Sequence, residues 1–201
     1  LNERIPRILL HARHPKSSGW GHRNPKRHGQ SEYNLKRIYS GTIDAALTDL
    51  GKQQAKETGE LLKDKNITHI IASDLSRAYD TALGIKSVID IDNKIIIEKT
   101  PLLQEVFFGD IQGKPYGRVN GLIYVIESGT GESAQALYER ASKALEHIRS
   151  IESEGNILVV GHDSFSSVIF AITEGKTKND LINYRLQWNF KNGEVKEKEI
   201  N

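Results

Sequence analysis

The chain holds no cysteine and no methionine among its 201 residues. Without cysteine there are no disulfides and no thiolate-ligated metal sites, so buried apolar surface must hold the fold together. The missing methionine includes the initiating one, which reads as removal or trimming of the start. Long apolar runs are absent as well. Stretches such as Ile157 to Val160 fall far short of the roughly 20 residues that a membrane span needs. Leu1 to Arg13 breaks its apolar residues with charges, so no signal peptide is read there. A cytoplasmic protein without membrane attachment is the expectation. What remains is ordinary globular material, 37% hydrophobic and 27% charged, in a chain long enough to bury one substantial core.

The small net charge of +2 is unevenly spread. Residues 1–40 carry nine Lys and Arg against Glu3 and Glu32, a balance of +7, which leaves −5 for the remainder. A basic segment of this kind meets nucleic acid or focuses field on a small anion. No helix-turn-helix, zinc-finger or RNA-binding signature accompanies it, so a small phosphorylated substrate is expected and nucleic acid is not. His11, His14, His22 and His28 fall within 18 residues. Their spacing matches no standard zinc motif, and no metal is expected.

Helical and strand periodicities alternate along the chain, the pattern of an α/β domain. Arg7 to Leu10 reads as a short buried strand, His69 to Ala72 as a second, Lys94 to Glu98 as a β-branched third and Asn156 to Val160 as a fourth. Thr48 is placed to cap a helix running to about Asp64, with Leu50, Ala55, Leu61 and Leu62 on one face. Asp74 is placed to cap the helix carrying Arg77. Ser133 begins a helix to about Ser153, with Leu137, Ala141, Ala144, Leu145 and Ile148 inward, and Ser164 begins another to about Glu174. Leu186 to Phe190 and Val195 to Ile200, joined through Asn192-Gly193, read as a terminal hairpin whose edge suits a homodimer. Residues 1–201 read as one domain, of which 1–26 is an atypical basic segment.

Chemistry concentrates in four motifs. Arg27-His28-Gly29-Gln30-Ser31-Glu32-Tyr33-Asn34 sets a histidine between a guanidinium and a glycine. Arginine forks onto phosphate oxygens, neutral histidine can attack phosphorus, and glycine admits a ligand close to the backbone. Downstream follow Ser73-Asp74-Leu75-Ser76-Arg77-Ala78, Leu103-Gln104-Glu105 and Val160-Gly161-His162-Asp163. Taken singly, each residue has an ordinary structural explanation: a surface ion pair for Arg27 or Arg77, a structural imidazole for His28 or His162, a loop carboxylate for Glu105. Their joint occurrence, with Arg77 and His162 each just past a strand, reverses that balance, because ligands of open α/β sheets sit beyond the carboxyl ends of strands.

On these residues, and on Tyr39-Ser40-Gly41 leading to Leu47-Thr48-Asp49-Leu50-Gly51, the chain resembles the histidine phosphatase superfamily, which includes the cofactor-dependent phosphoglycerate mutases. The likeness runs from about Arg27 to about Ala171. It implies a single-domain, three-layer α/β sandwich with a mixed, mostly parallel sheet flanked by helices. It also implies a phosphohistidine on His28, with Arg27, Arg77 and His162 binding the phosphoryl oxygens and Glu105 as acid and then base. Asn34, Ser40 and Gly41 would contact phosphate or adjacent substrate. No cofactor or metal is implied. In one respect the chain departs from the pattern: polar Gly21 to Lys26, with Pro25, stands where the family runs an apolar strand into its RHG. Ile8 to Leu10 is the nearest such strand, so the intervening residues either loop out and return or the first strand is irregular. The neighbouring His14 is followed by Pro15, not glycine, and His28 is retained as the nucleophile.

The same core serves phosphatases and mutases. A mutase must also hold a bisphosphorylated intermediate and exclude water, which takes additional cations and a lid. Val106, Phe108 and about Tyr116 fall where the mutase branch carries Arg, Tyr and Lys. Gly113 to Ser133 offers only Lys114 and Arg118 as cations. A metal-independent phosphatase is the leading reading; a mutase or a catalytically impaired phospholigand-binding relative are the alternatives. Phe107, Phe108, Tyr116, Leu122, Ile123 and Tyr124 either line an apolar substrate pocket or belong to the core.

Overall fold

The computed structural model describes residues 7–10, 28–117, 120–187 and 196–199, with side chains over 28–117 and 120–185. Strands β1 (Arg7–Leu10), β2 (Ile67–Ser73), β3 (Ile96–Thr100) and β4 (Asn156–Val160) run parallel. Strand β5 (Lys196–Glu199) adds antiparallel to β1, completing one sheet in the order β3-β2-β4-β1-β5. The two central strands are apolar almost throughout because both their faces are covered. Leu158 and Val160 of β4 join Ile70 and Ala72 of β2 on one face, while Ile157, Val159 and Ile71 point to the other. The strict period of two explains the split.

Helices α2 (Asp49–Leu62) and α3 (Ser76–Ile89) cover the first face. The second is covered by α5 (Ala134–Arg149) and α6 (Asp163–Thr173), with α4 (Gly121–Ser128) and α7 (Leu181–Gln187) beside them. A one-turn α1 (Glu32–Leu35) follows the His28 segment, closed by a capping box between Ser31 and Asn34. The expected three-layer α/β sandwich with a mostly parallel sheet is the architecture found.

Several local expectations are met and several are corrected. Thr48 caps α2, Ser133 caps α5, and the five inward residues of α5 are all buried. In α2, however, Leu50 and Leu61 are 49% and 55% exposed. The face it buries is Gly51, Ala55, Thr58, Gly59 and Leu62, because α2 and α3 approach too closely for leucine. A Cβ on Gly84 would lie 2.7 Å from that of Ala55, and one on Gly59 would lie 2.6 Å from that of Val88. Asp74 does not cap α3: its N-cap residue is Leu75, which makes no side-chain cap bond. Helix α5 stops at Arg149, short of Ser153. Leu186 and Gln187 are helical, in α7, and β5 pairs antiparallel with β1. Leu181, Tyr184 and Arg185 are buried at helical spacing, so a one-sided 3.6-residue stripe, not a strand alternation, governs that segment. Trp188 to Val195 lie outside the described residues. Phe108 and Leu122 are core residues, Tyr116 and Tyr124 pack against that core, and Phe107 is 44% exposed.

Strand β1 ends at Leu10, paired with Val159, and His28 lies beside His162, just past the end of β4. Leu10 and His28 therefore lie at the same end of the sheet. Residues 11–27, with Arg27, His11, His14 and His22, lie outside the described residues, as does Arg118.

The His28 segment is seated directly on the start of α2. The Thr48 amide donates to the Gln30 carbonyl at 2.9 Å, and a Cβ on Gly51 would fall 2.1 Å from that oxygen. Gly51→Ala is therefore expected to lower unfolding free energy by about 1–3 kcal/mol, as backbone overpacking does. The exposed Lys52→Ala should stay within about 0.5 kcal/mol. Urea denaturation of both variants checks this.

Candidate functional site

The carboxyl ends of β2 and β4 bring the site together. Because Ala72 pairs with Val160, Ser73 and His162 emerge side by side, and His162 Nε2 lies 2.9 Å from Ser73 Oγ. Two residues into α3, Arg77 points back across this end of the sheet with only 1% of its surface exposed. A buried guanidinium must be saturated with acceptors. Its Nε donates to His28 Nε2 at 3.1 Å, Nη1 donates to the Ile43 carbonyl at 2.9 Å, and Nη2 donates to the Gly41 carbonyl at 2.7 Å. Burial pushes Arg77 down to about 10, while the charges of Glu105 and Asp44 push the other way. It is therefore a full cation at neutral pH.

These bonds assign the His28 tautomer. Its Nδ1 lies 2.7 Å from the Gly29 carbonyl, an acceptor only, and its Nε2 faces the Arg77 donor. The proton sits on Nδ1 and the lone pair on Nε2. The segment is held from behind by Thr81, which accepts from the Gly29 amide at 3.0 Å and donates to the Arg77 carbonyl at 2.6 Å. The His28 and His162 rings meet edge to face, 5.2 Å between centroids. Two imidazoles and a guanidinium thus lie together beyond the sheet's carboxyl end, an arrangement suited to an anion with several oxygens.

Glu105, 4% exposed, lies within electrostatic reach of Arg77. Its Oε1 accepts from the Phe165 amide at 3.0 Å and from its neighbour Val106 at 3.0 Å. Its Oε2 accepts from the Ser164 amide at 3.4 Å. These amides open α6, the positive end of that helix. Asp44 does the same for α3: its Oδ1 accepts from both the amide and the hydroxyl of Ser76 at 2.8 Å. Asp74 instead accepts two bonds from Gln104 Nε2, at 2.8 and 3.0 Å, tying the end of β2 to the Glu105 segment.

Of the other candidates, Gly41 (φ 51°) presents its carbonyl to Arg77, and a Cβ there would strike Gln112 Oε1. Ser40 is buried next to it. Asn34 stands further off, its Nδ2 donating to the Tyr116 hydroxyl at 3.4 Å. The structure therefore brings together His28, Arg77, His162, Glu105 and Gly41, while Arg27 lies outside the described residues. Among those residues no three His, Asp or Glu side chains gather to hold a metal ion.

Sequence reasoning missed Thr81, Asp44 and the Ser73 contact, whose partners are distant in the chain. It also missed Arg185, because the segment carrying it was read as leading into a strand. Arg185 forms a bidentate pair with Asp163, the residue after His162, and both are almost fully buried. Burial lowers Arg185 to about 10 while the Glu105 charge acts to raise it.

A central parallel sheet with a histidine pair and a buried arginine beyond its carboxyl end defines the phosphoglycerate mutase-like class of α/β proteins. The chain belongs to the histidine phosphatase superfamily (branch 1), whose profile matches residues 26–197. It is 31% identical over 157 residues to phosphoglycerate mutase-like protein 4 of Arabidopsis thaliana, covering 68% of this chain and 64% of that one. To the adenosylcobalamin/alpha-ribazole phosphatase of Escherichia coli it is 27% identical over 172 residues, covering 80% of this chain and 82% of that one. The solved mycobacterial hydrolase 1 superposes with a TM-score of 0.76 at 21% identity, covering 96% of this chain and 91% of that one. That likeness shows the fold.

The Arg185–Asp163 pair lies directly behind His162. Arg185→Leu removes the cation paired with a buried carboxylate and should cost about 3–5 kcal/mol of stability. Adding Asp163→Asn should recover part of that loss, and thermal unfolding of the single and double variants measures both.

Proposed function

We propose that this protein is a phosphatase that hydrolyses phosphate monoesters, without a metal, through a phosphohistidine on His28. The observation that carries the reading is the His28 ring: its lone pair on Nε2 is aimed at Arg77 and bordered by His162. A phosphoryl group entering there would take over the Arg77 donor and meet the nucleophilic nitrogen in the same place. Phosphate monoesters hydrolyse extremely slowly in water, so positioning and charge stabilisation account for most of the catalysis.

In the first step His28 Nε2 bonds to phosphorus as the ester P–O bond breaks. Arg77, Arg27 and His162 carry the charge on the non-bridging oxygens, which is why no metal is needed. Glu105 gives its proton to the departing alkoxide. In the second step Glu105 takes a proton from water, the water oxygen bonds to phosphorus, and the P–N bond breaks. Inorganic phosphate leaves and His28 regains its lone pair. Asn34, Ser40 and Gly41 border the substrate, with Gly41 acting through its hold on Arg77.

The mutase alternative draws on relatives such as the Arabidopsis protein, named for that likeness. The phosphatase reading is favoured by what surrounds Glu105. Val106 and Phe108 are buried apolar residues, and between Gly113 and Ser133 the sequence offers only Lys114 and Arg118 to a second phosphate. A small phosphorylated substrate, free in the cytoplasm, is the proposed partner.

Phosphate release from a monoester panel should persist in EDTA and vanish in His28→Ala, which keeps its fold. Glu105→Gln should slow alkyl phosphates by about 100-fold or more and p-nitrophenyl phosphate, whose leaving group needs no proton, far less. Equal slowing of both would remove Glu105 from its role as acid. Interconversion of phosphoglycerate isomers faster than phosphate release would replace the phosphatase reading with the mutase.

A further inference from the structure

Glu105 lies on a stretch without regular structure, between a single 3-10 turn (Pro101–Leu103) and a second at Gly109–Ile111. Its carboxyl is held by the Val106, Ser164 and Phe165 amides, but no helix or strand ladder fixes the backbone that carries it. One side chain from outside the site holds the chain just before Glu105 at two carbonyls. Arg140 of α5 donates through Nη1 to the Leu102 carbonyl at 3.1 Å and to the Gln104 carbonyl at 2.8 Å, just before Glu105. Its Nε and Nη2 donate in parallel to Glu132, at 2.8 and 2.7 Å. Glu132 grips the chain just after Glu105: its amide donates to the Phe107 carbonyl at 3.0 Å, and its Oε2 accepts from the Phe107 amide at 3.4 Å. The guanidinium carbon lies over the Phe165 ring, 4.0 Å from its centroid, and the Phe165 amide donates to Glu105 Oε1.

We infer that Arg140, locked by Glu132, is a positioning residue that sets the Glu105 carboxyl where it can pass a proton to the leaving group. This rests on the reading of Glu105 as the acid. The geometry calls for arginine specifically. Only a planar fork can satisfy a carboxylate along one edge and two carbonyls along the other while stacking on a ring; a lysine ammonium cannot. With its charge matched by Glu132, Arg140 acts by placement more than by field. Placement matters because an error of about 1 Å in a reacting group can cost about 100-fold in rate.

A double-mutant cycle separates this role from a purely structural one. Turnover of an alkyl phosphate and of p-nitrophenyl phosphate is measured in the intact chain, Arg140→Lys, Glu105→Gln and the two combined. Arg140→Lys is expected to slow the alkyl phosphate about 10–100-fold and p-nitrophenyl phosphate less than about threefold, and to add almost nothing to Glu105→Gln. Equal slowing of both substrates by Arg140→Lys, or full additivity with Glu105→Gln, overturns the inference. If Arg140→Lys does not fold, the isosteric Glu132→Gln repeats the cycle with the same expectation and the same overturning result. Should Glu105→Gln alone show no leaving-group preference, the acid reading and this inference fall together. Should it show one that neither Arg140→Lys nor Glu132→Gln reproduces, the inference falls alone.

Discussion

A guanidinium taken out of water must find acceptors for its donors, and at Arg77 that requirement organises the site. Among the described residues it donates to two backbone carbonyls and an imidazole nitrogen. To supply the carbonyls, the chain turns at Gly41 through a left-handed conformation. To supply the nitrogen, His28 must keep Nε2 unprotonated, which sends its proton to Nδ1 and the Gly29 carbonyl. The condition that keeps a buried cation stable is thus the same one that keeps the His28 lone pair on Nε2, facing Arg77. Fold stability and chemical readiness meet in one set of bonds.

Both helix starts at this end of the sheet are already occupied by carboxylates from elsewhere in the chain. Asp44 takes the first amide of α3, and Glu105 takes amides in the first turn of α6. A helix N-terminus often receives the phosphate itself in α/β proteins. Here those partial charges are spent on protein groups, so an anion between His28 and His162 would depend on side chains, Arg77 foremost. Such a site discriminates by the fork geometry of guanidinium more than by a cradle of backbone amides.

How much of this was readable in the chain varies with the range of the interaction. The strand Asn156–Val160 and the inward face of α5 follow from local periodicity and were found as expected. Arg77 and His162 each sit in a short motif just past a strand end, and the structure sets them beside His28 and within reach of Glu105, which the family resemblance had placed with them. The α2 face was misread because Leu50 and Leu61 carry the stronger apolar signal, yet close packing against Gly84 and Val88 selects the small residues. Asp74 looked like a cap by position, but Asp44, some thirty residues earlier, reaches α3 first. Thr81, Ser73 and Arg185 act on partners far away in the chain, and no spacing rule reveals such pairs. Arg27 was chosen on sequence alone and stays on that footing.

Strand β1 has a consequence for how the molecule comes into being. Among the described strands it comes first, yet both its neighbours in the sheet are the last two, β4 and β5. During synthesis β1 emerges before β2 and β3, while its described neighbours β4 and β5 are made after them. In the meantime β2, β3, α2 and α3 can assemble among themselves from contacts close in sequence. The His28 segment gains His162 only when β4 slots between β1 and β2, a long loop closure that comes late. Helices α2 and α3 with strands β2 and β3 can therefore be folded before His28 and His162 meet, and insertion of the central strand is the event that brings the site together.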